Sequence, residues 1–447
     1  MKKFFIIIFL VFCVNNLSFS QHKFILQNKK QSDKIRFKLI NNLIVVPVEI
    51  NGVTLSFLLD TGVSKPIIFN FLNVSDSLKI KDTEKIYLRG LGGGDAVEAL
   101  KSKNNTFKIG NAIKLNQELY AVLGMNLNFS SRLGVPVHGI IGYDLFKDLI
   151  VEINYNYKYL RFTNPEKFEY KNCRNCEYLN LEFYNNKPYV NAEVIIKEKQ
   201  IPVKLLIDSG GSDALWLFED DSLGIISSNR FFYDFLGHSL SGSVYGKRSK
   251  VDALLLKNFE IKNPNVAFPE ALSVAFTKHI KDRNGSLAGN ILKRFNVIVD
   301  YQKAIVTLKK NSHFKEKFNY NKSGIELEYD GVRLVKEKEN SSFAKKSGIK
   351  QNDVVFNSTK NVIDTQYKLI LKPSFTIVEL RKESPAEIAG LLIGDIVLSI
   401  NGKSTYNYKM QQIMRIFYDK VGKRIKLKVE RNGKILTFDF KLEDVFK

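Results

Sequence analysis

The strongest constraint on this 447-residue chain is that it carries the same pattern twice. The stretch from about 44 to 163 resembles the stretch from about 190 to 309. Each opens on an alternating strand, Ile44-Val45-Val46-Pro47-Val48-Glu49-Ile50 and Tyr189-Val190-Asn191-Ala192-Glu193-Val194-Ile195. Each then runs an apolar strand into an acid, Leu55-Ser56-Phe57-Leu58-Leu59-Asp60 and Val203-Lys204-Leu205-Leu206-Ile207-Asp208. Thr61-Gly62 follows the first acid and Ser209-Gly210 the second. At matching intervals downstream come Gly139-Ile140-Ile141-Gly142 and Ser286-Leu287-Ala288-Gly289, and each copy closes on a strand and a tyrosine-bearing turn, Ile150–Tyr155 and Val297–Tyr301. The period is too long for a solenoid, so this is a duplicated lobe. β-Branched and aromatic residues with Gly and Asn at the breaks make each copy mostly β.

An acid at the end of a core strand is an expensive place for a charge without purpose. An Asp can cap a turn after a strand, and duplication would preserve such a turn. Two carboxylates brought face to face offer chemistry instead. At about 4 Å and an effective dielectric near 20 they repel by about 4 kcal/mol, enough to separate their proton affinities by roughly three pH units. Such a pair holds one shared proton. Its ionised member can take a proton from water while the other polarises a carbonyl.

The paired Leu58-Leu59-Asp60-Thr61-Gly62 and Leu206-Ile207-Asp208-Ser209-Gly210, with Ile140-Ile141-Gly142 and Leu287-Ala288-Gly289 behind them, resemble the pepsin and retropepsin-like aspartic proteases over residues 35–312. The resemblance implies a bilobal fold of β-barrel lobes, Asp60 and Asp208 as a catalytic dyad, and Thr61, Gly62, Ser209 and Gly210 as its supporting loop. In that family the two hydroxyls tie the loops together. Hydrolysis would need no cofactor and no metal, and the substrates would be polypeptides. Glycine-rich segments in each half, with Gly90, Gly92, Gly93 and Gly94 in the first and Gly237 and Gly242 in the second, read as flap tips; whether one or both close on substrate stays open. No Lys-Ser/Thr follows the first run, so a phosphate cradle is not supported. Val63 and Gly211 stand where many family members carry Ser or Ala.

The chain turns polar at Lys309–His313 and its pattern changes. Phe375–Leu380, Ser384-Pro385-Ala386-Glu387-Ile388-Ala389-Gly390-Leu391 and Gly394–Gly402 resemble a PDZ domain, a small β-barrel with two helices. Pro385 suits the first turn of a short helix, and Asn401-Gly402 a hairpin. Met410, Ile413, Met414 and Phe417 share one face of a predicted helix over 408–418. The polar stretch 337–365 reads as a surface insertion. PDZ domains take a peptide as an added strand and hold its C-terminal carboxylate. The resemblance places that edge at Phe375–Leu380, with Lys372, Ser374, Phe375, Ile377, Met410 and Met414 as groove candidates. The loop 371–374 lacks the usual glycines, and Pro373 removes a donor.

Length bounds the count at about three domains. We expect a signal peptide over 1–20, lobe 1 over 35–165, an interlobe linker over 166–188, lobe 2 over 189–312 and the PDZ domain over 320–445. Lys2 and Lys3, the apolar run Phe4–Val14 and Ser18-Phe19-Ser20 have the form of a secretory leader, too short to span a bilayer. We expect an extracytoplasmic, periplasmic or secreted protein with no stable membrane span after cleavage. Cys173 and Cys176 can then close a local disulfide. The five His are scattered without metal spacing. The net charge of +22 is spread thinly rather than gathered into a stripe, which argues against nucleic acid as a partner. The sequence therefore points to an exported aspartic endopeptidase with a PDZ module for docking substrate or partner. The alternative is a catalytically silent peptide-binding scaffold of the same fold.

Overall fold

The computed structural model describes residues 22–69, 71, 75–88, 95–122, 129–239, 242–278, 282–338 and 367–446. The expected signal peptide, the flap glycines Gly90, Gly92, Gly93 and Gly94, and nearly all of the 337–365 insertion lie outside them. The protein is mostly β, with 55% of it in strands and 10% in helices. Among the described residues no helix is long and apolar enough to cross a membrane.

Each lobe is built around its acid-bearing strand. Val53–Leu59 pairs antiparallel with Leu43–Ile50 on one side and parallel with Gly139–Ile141 on the other. The second copy repeats this, with Lys199–Asp208 between Lys187–Ile196 and the parallel Arg283–Ala288. Alternation sorts the side chains into two layers. Ile44, Val46, Leu55, Phe57 and Leu59 enter one core, while Val45 and Leu58 enter another on the opposite face. A strand buried on both faces reads as a continuous apolar run, which is why these segments looked like core in the sequence.

The lobes are joined by backbone. Ile150–Asn154 of the first pairs antiparallel with Phe295–Asp300 of the second, with Val151 opposite Val299 and Ile153 opposite Val297. Outward from this seam the order is Tyr159–Thr163 then Ser32–Arg36 on one side, and Ile305–Lys310 then Cys176–Tyr184 on the other. The arrangement is two-fold about the seam. One apolar core runs beneath both lobes, from Phe24 to Phe318. Part of the stretch read as a linker is therefore structured: Cys176–Tyr184 is a strand of this sheet, and Lys187 already opens a strand of lobe 2. The sequence signal was weak because only Leu179 and Leu181 of Cys176–Tyr184 are buried.

The C-terminal unit is a six-stranded sheet with its own core, in which Ile325, Ile377, Val397, Ile413, Phe417, Leu427 and Val429 meet. Ser384 caps the helix Pro385–Ile388 by accepting from Glu387 N–H, with Pro in its first turn. The groove candidates fall differently from the expectation. Tyr367–Leu380 is one continuous strand, paired along its length with Ile325–Lys338 and, at Thr376, with Ile396–Ile400. Phe375–Leu380 is thus interior to the sheet, Phe375 and Ile377 are core residues, and 371–374 is strand rather than loop. Ser374 is buried, and Lys372 pairs with Glu337 at 3.0 Å. Among the described residues the end strands are Lys434–Lys441 and Ile325–Lys338, and the helix Met410–Phe417 packs against the latter. The long insertion separates these two strands in sequence, which hid their pairing.

Candidate active site

Asp60 and Asp208 end their strands at the lobe seam, both half-buried. Asp60 N–H donates to Ile141 O at 2.8 Å, so the acid is fixed by the parallel supporting strand. Behind it Gly142 comes so close that a Cβ there would lie 1.9 Å from Asp60 O; only a glycine permits the approach.

The two loops are locked reciprocally. Thr61 Oγ1 donates to Ile207 O at 2.6 Å and accepts from Ser209 N–H at 3.0 Å. Ser209 Oγ donates to Leu59 O at 2.8 Å and accepts from Thr61 N–H at 3.1 Å. Both hydroxyls are buried, with every bond crossing the seam. Gly62 N–H donates to Asp60 Oδ1 at 2.7 Å and Gly210 N–H to Asp208 Oδ1 at 3.1 Å. The lock brings each acid to the other's glycine. A Cβ on Gly210 would lie 2.3 Å from the Asp60 carboxyl, and one on Gly62 would lie 3.6 Å from Asp208 Oδ1.

This crowding sets the electrostatics. Burial, then the Asp208 charge, raises the proton affinity of Asp60 well above the carboxylate range, against the Gly62 N–H and the Lys187 charge. Burial also raises Asp208, but Arg283 and then Lys187 pull it back. Arg283 is held in place by its own bonds, Nε to Gly285 O at 3.1 Å and Nη2 to Ser286 Oγ at 2.8 Å. Burial in turn lowers both Lys187 and Arg283. Two crowded carboxylates that hold one proton between them can act as acid and base.

Sequence reasoning missed both cations. Lys187 fell in the stretch read as linker, although it precedes Tyr189 as Asn42 precedes Ile44. Arg283 signalled itself only as a charge entering an apolar strand. Among the flap candidates, Gly237 and Gly242 lie in the lobe 2 hairpin, Phe232–Ser239 paired with Gly242–Lys250. That hairpin is anchored by Arg248, which donates to Asp234 at 2.9 Å, to Phe235 O at 3.0 Å and to Asp213 at 2.8 Å. Asp213 also accepts from Trp216 Nε1 at 2.8 Å, so the hairpin is tied to the loop that follows Asp208. Cys173 and Cys176 form a disulfide. Among the described residues no cluster of His, Cys, Asp and Glu has the makings of a metal site.

Two family profiles match parts of the chain. An aspartyl protease family profile matches residues 46–145, spanning the first acid loop and its supporting glycine. A PDZ domain profile matches residues 376–431. No curated protein matches the chain.

Proposed function

We propose that this chain, which carries an aspartyl protease domain and a C-terminal PDZ domain, is an exported endopeptidase working through an Asp60/Asp208 dyad. The observation that carries the reading is the reciprocal Thr61/Ser209 lock, which holds two half-buried acids against each other. In the resting state one proton is shared. In this reading it rests on Asp60, and Asp208 is the ionised member because the Arg283 charge beside it favours its anion. A water between them loses a proton to Asp208 as its oxygen bonds to the scissile carbonyl carbon. Asp60 gives its proton to the carbonyl oxygen. The resulting diol returns one hydroxyl proton to Asp60 as its C=O re-forms and the C–N bond breaks, while the departing nitrogen takes the proton held by Asp208, which restores the resting dyad. Thr61 and Ser209 hold the carboxylates in register throughout; such preorganisation lets the pair act without rearrangement.

The Cys173–Cys176 disulfide and the leader-like first residues support an oxidising, extracytoplasmic site of action. The PDZ unit would dock polypeptide substrate or a partner chain. The test is cleavage of an unfolded protein by the purified chain, with Asp60→Asn, Asp208→Asn and a pepstatin-type inhibitor as controls. Cleavage that persists undiminished in both variants removes the dyad. Absence of cleavage by the unmutated chain leaves the silent scaffold.

A further inference from the structure

The groove of the C-terminal unit, between the end strand Ile325–Lys338 and the helix Met410–Phe417, already has something at its mouth. The short helix Phe129–Leu133 of lobe 1 packs against that strand. Its Arg132 lies 2.5 Å from Glu328 and 3.4 Å from Glu379, two acids on adjacent strands of the sheet. Gln411 of the groove helix donates to Leu133 O. Gly134 approaches Met410 so closely that a Cβ there would lie 2.9 Å from the Met410 Cβ.

The other end of the groove is closed to a chain terminus. The turn leading into the end strand is the place where backbone N–H groups would receive a carboxylate. Here those donors are already engaged. Lys322 N–H donates to Phe417 O, Ser323 and Gly324 N–H both donate to Asn321 Oδ1, and Ile325 N–H donates to Ser323 Oγ. What the groove offers instead is a pair of acids, and an arginine is the residue whose planar fork spans two of them.

We propose that this groove reads internal, arginine-bearing polypeptide segments and that its resident ligand is the chain's own Phe129–Gly134, anchored by Arg132. The inference deepens the docking role proposed above and rests on it. A tethered ligand competes at an effective concentration of about millimolar, so an outside segment enters only by displacing Arg132. That displacement is felt by the lobes. The Arg132 guanidinium stacks 4.5 Å from the Phe235 ring of the lobe 2 hairpin, and Tyr245 of the same hairpin donates to Glu379 at 3.3 Å. On the lobe 1 side, Ser130 exchanges hydrogen bonds with Val137, two residues before the supporting strand Gly139–Ile141. A basic substrate segment arriving at the groove therefore loosens the hairpin and the supporting strand together.

The experiment uses the full chain carrying Asp60→Asn, so that binding is read without turnover. The probe is a fluorescent, C-terminally amidated peptide copying residues 129–136, followed by anisotropy, with hydrogen exchange of the hairpin in parallel. Adding Arg132→Ala should tighten peptide binding roughly tenfold by vacating the groove, an effect of the size expected for one charge pair. Arg132→Lys, which keeps the charge but loses the fork, should give a smaller gain and covers the case in which the alanine variant does not fold. A peptide with alanine in place of arginine should not bind, and Glu328→Gln should abolish binding of the arginine peptide. Saturation with peptide should speed exchange in the hairpin Phe232–Lys250. Equal binding with and without Arg132, or binding that requires a free C-terminal carboxylate, overturns the assignment, as does peptide binding that leaves hairpin exchange unchanged. Because no hydrolysis is measured, these outcomes are independent of whether the unmutated chain cleaves protein.

Discussion

The two lobes share a backbone plan but not a setting. Around the acids the copies are nearly interchangeable: the same strand trio and the same hydroxyl lock reaching in both directions. A few ångströms away they part. The lobe 1 hairpin strand Val97–Ile109 rests on an apolar cluster with Leu43, Val45, Leu58, Ile67 and Phe69. Among the described residues the lobe 2 hairpin rests on a small cluster of Leu236, Val244 and Ala267 with Trp216 against it, and is held as well by the Arg248 ion pairs and by Phe232 on Tyr320. The cations near the dyad also come from lobe 2, through Lys187 and Arg283. The two copies agree at the hydroxyl lock and differ in their surroundings: lobe 1 carries the buried Lys114/Asp144/Asp148 cluster, and lobe 2 the Arg248 network and the cations near the acids.

The sharpest way to break this comparison is at its centre. Asp60→Asn and Asp208→Asn should each lower kcat for cleavage of an unfolded protein by about 10²–10⁴-fold, the range expected for an acid or base group. A variant retaining more than a tenth of the activity would deny its lobe an equal share in the dyad. Next come the hydroxyls. Thr61→Val and Ser209→Ala each leave a buried N–H and a buried carbonyl without a partner, at a cost of about 1–3 kcal/mol. If the lock is symmetric, chemical denaturation should give the two losses within about 0.5 kcal/mol of one another.

The disulfide belongs to the crossing between lobes and to neither copy of the repeat. Its loop is tiny, so Cys173→Ser should cost no more than about 2 kcal/mol, with the dyad activity retained. A larger loss would mean that the crossing strand Cys176–Tyr184 depends on it. The finest distinction is electrostatic. Lys187 lowers the proton affinity of both acids, so Lys187→Met should move both limbs of the kcat/KM profile to higher pH. A downward shift, or none, would remove Lys187 from the site.

A second pH effect concerns the seam between lobe 2 and the C-terminal unit. Burial, then the Asp234 charge, pushes Glu326 up to about 7 from its ordinary value of 4.5. A carboxyl raised in the folded state favours folding below its unfolded value and withdraws that support as pH rises through the folded one. Thermal unfolding should therefore show Glu326→Gln more stable than the parent chain at pH 8 and no more stable at pH 4.

The architecture was legible in the sequence because its signals lie in short contiguous segments. The acid strands declared themselves by unbroken apolar runs, and the C-terminal unit by Ser384–Leu391 and Gly394–Gly402. The unread parts depend on contacts between segments far apart in the chain. Arg132 looks like any surface arginine until Glu328 and Glu379 arrive from the far end. The groove edge was placed one strand too far in because Ile325–Lys338, an end strand among the described residues, is rich in charge and separated from its neighbour by the insertion. Lys187 was hidden by a half-polar strand. Periodicity reports burial on one face; it does not report which distant charge will come to rest there.

The pairing of Val151 with Val299 has a thermodynamic corollary. Where two identical half-enzymes must associate, diluting them dissolves the centre they build. Here the halves are covalently tied and share one ladder, so no dissociation constant governs the meeting of the acids, and specific activity should stay level however far the protein is diluted.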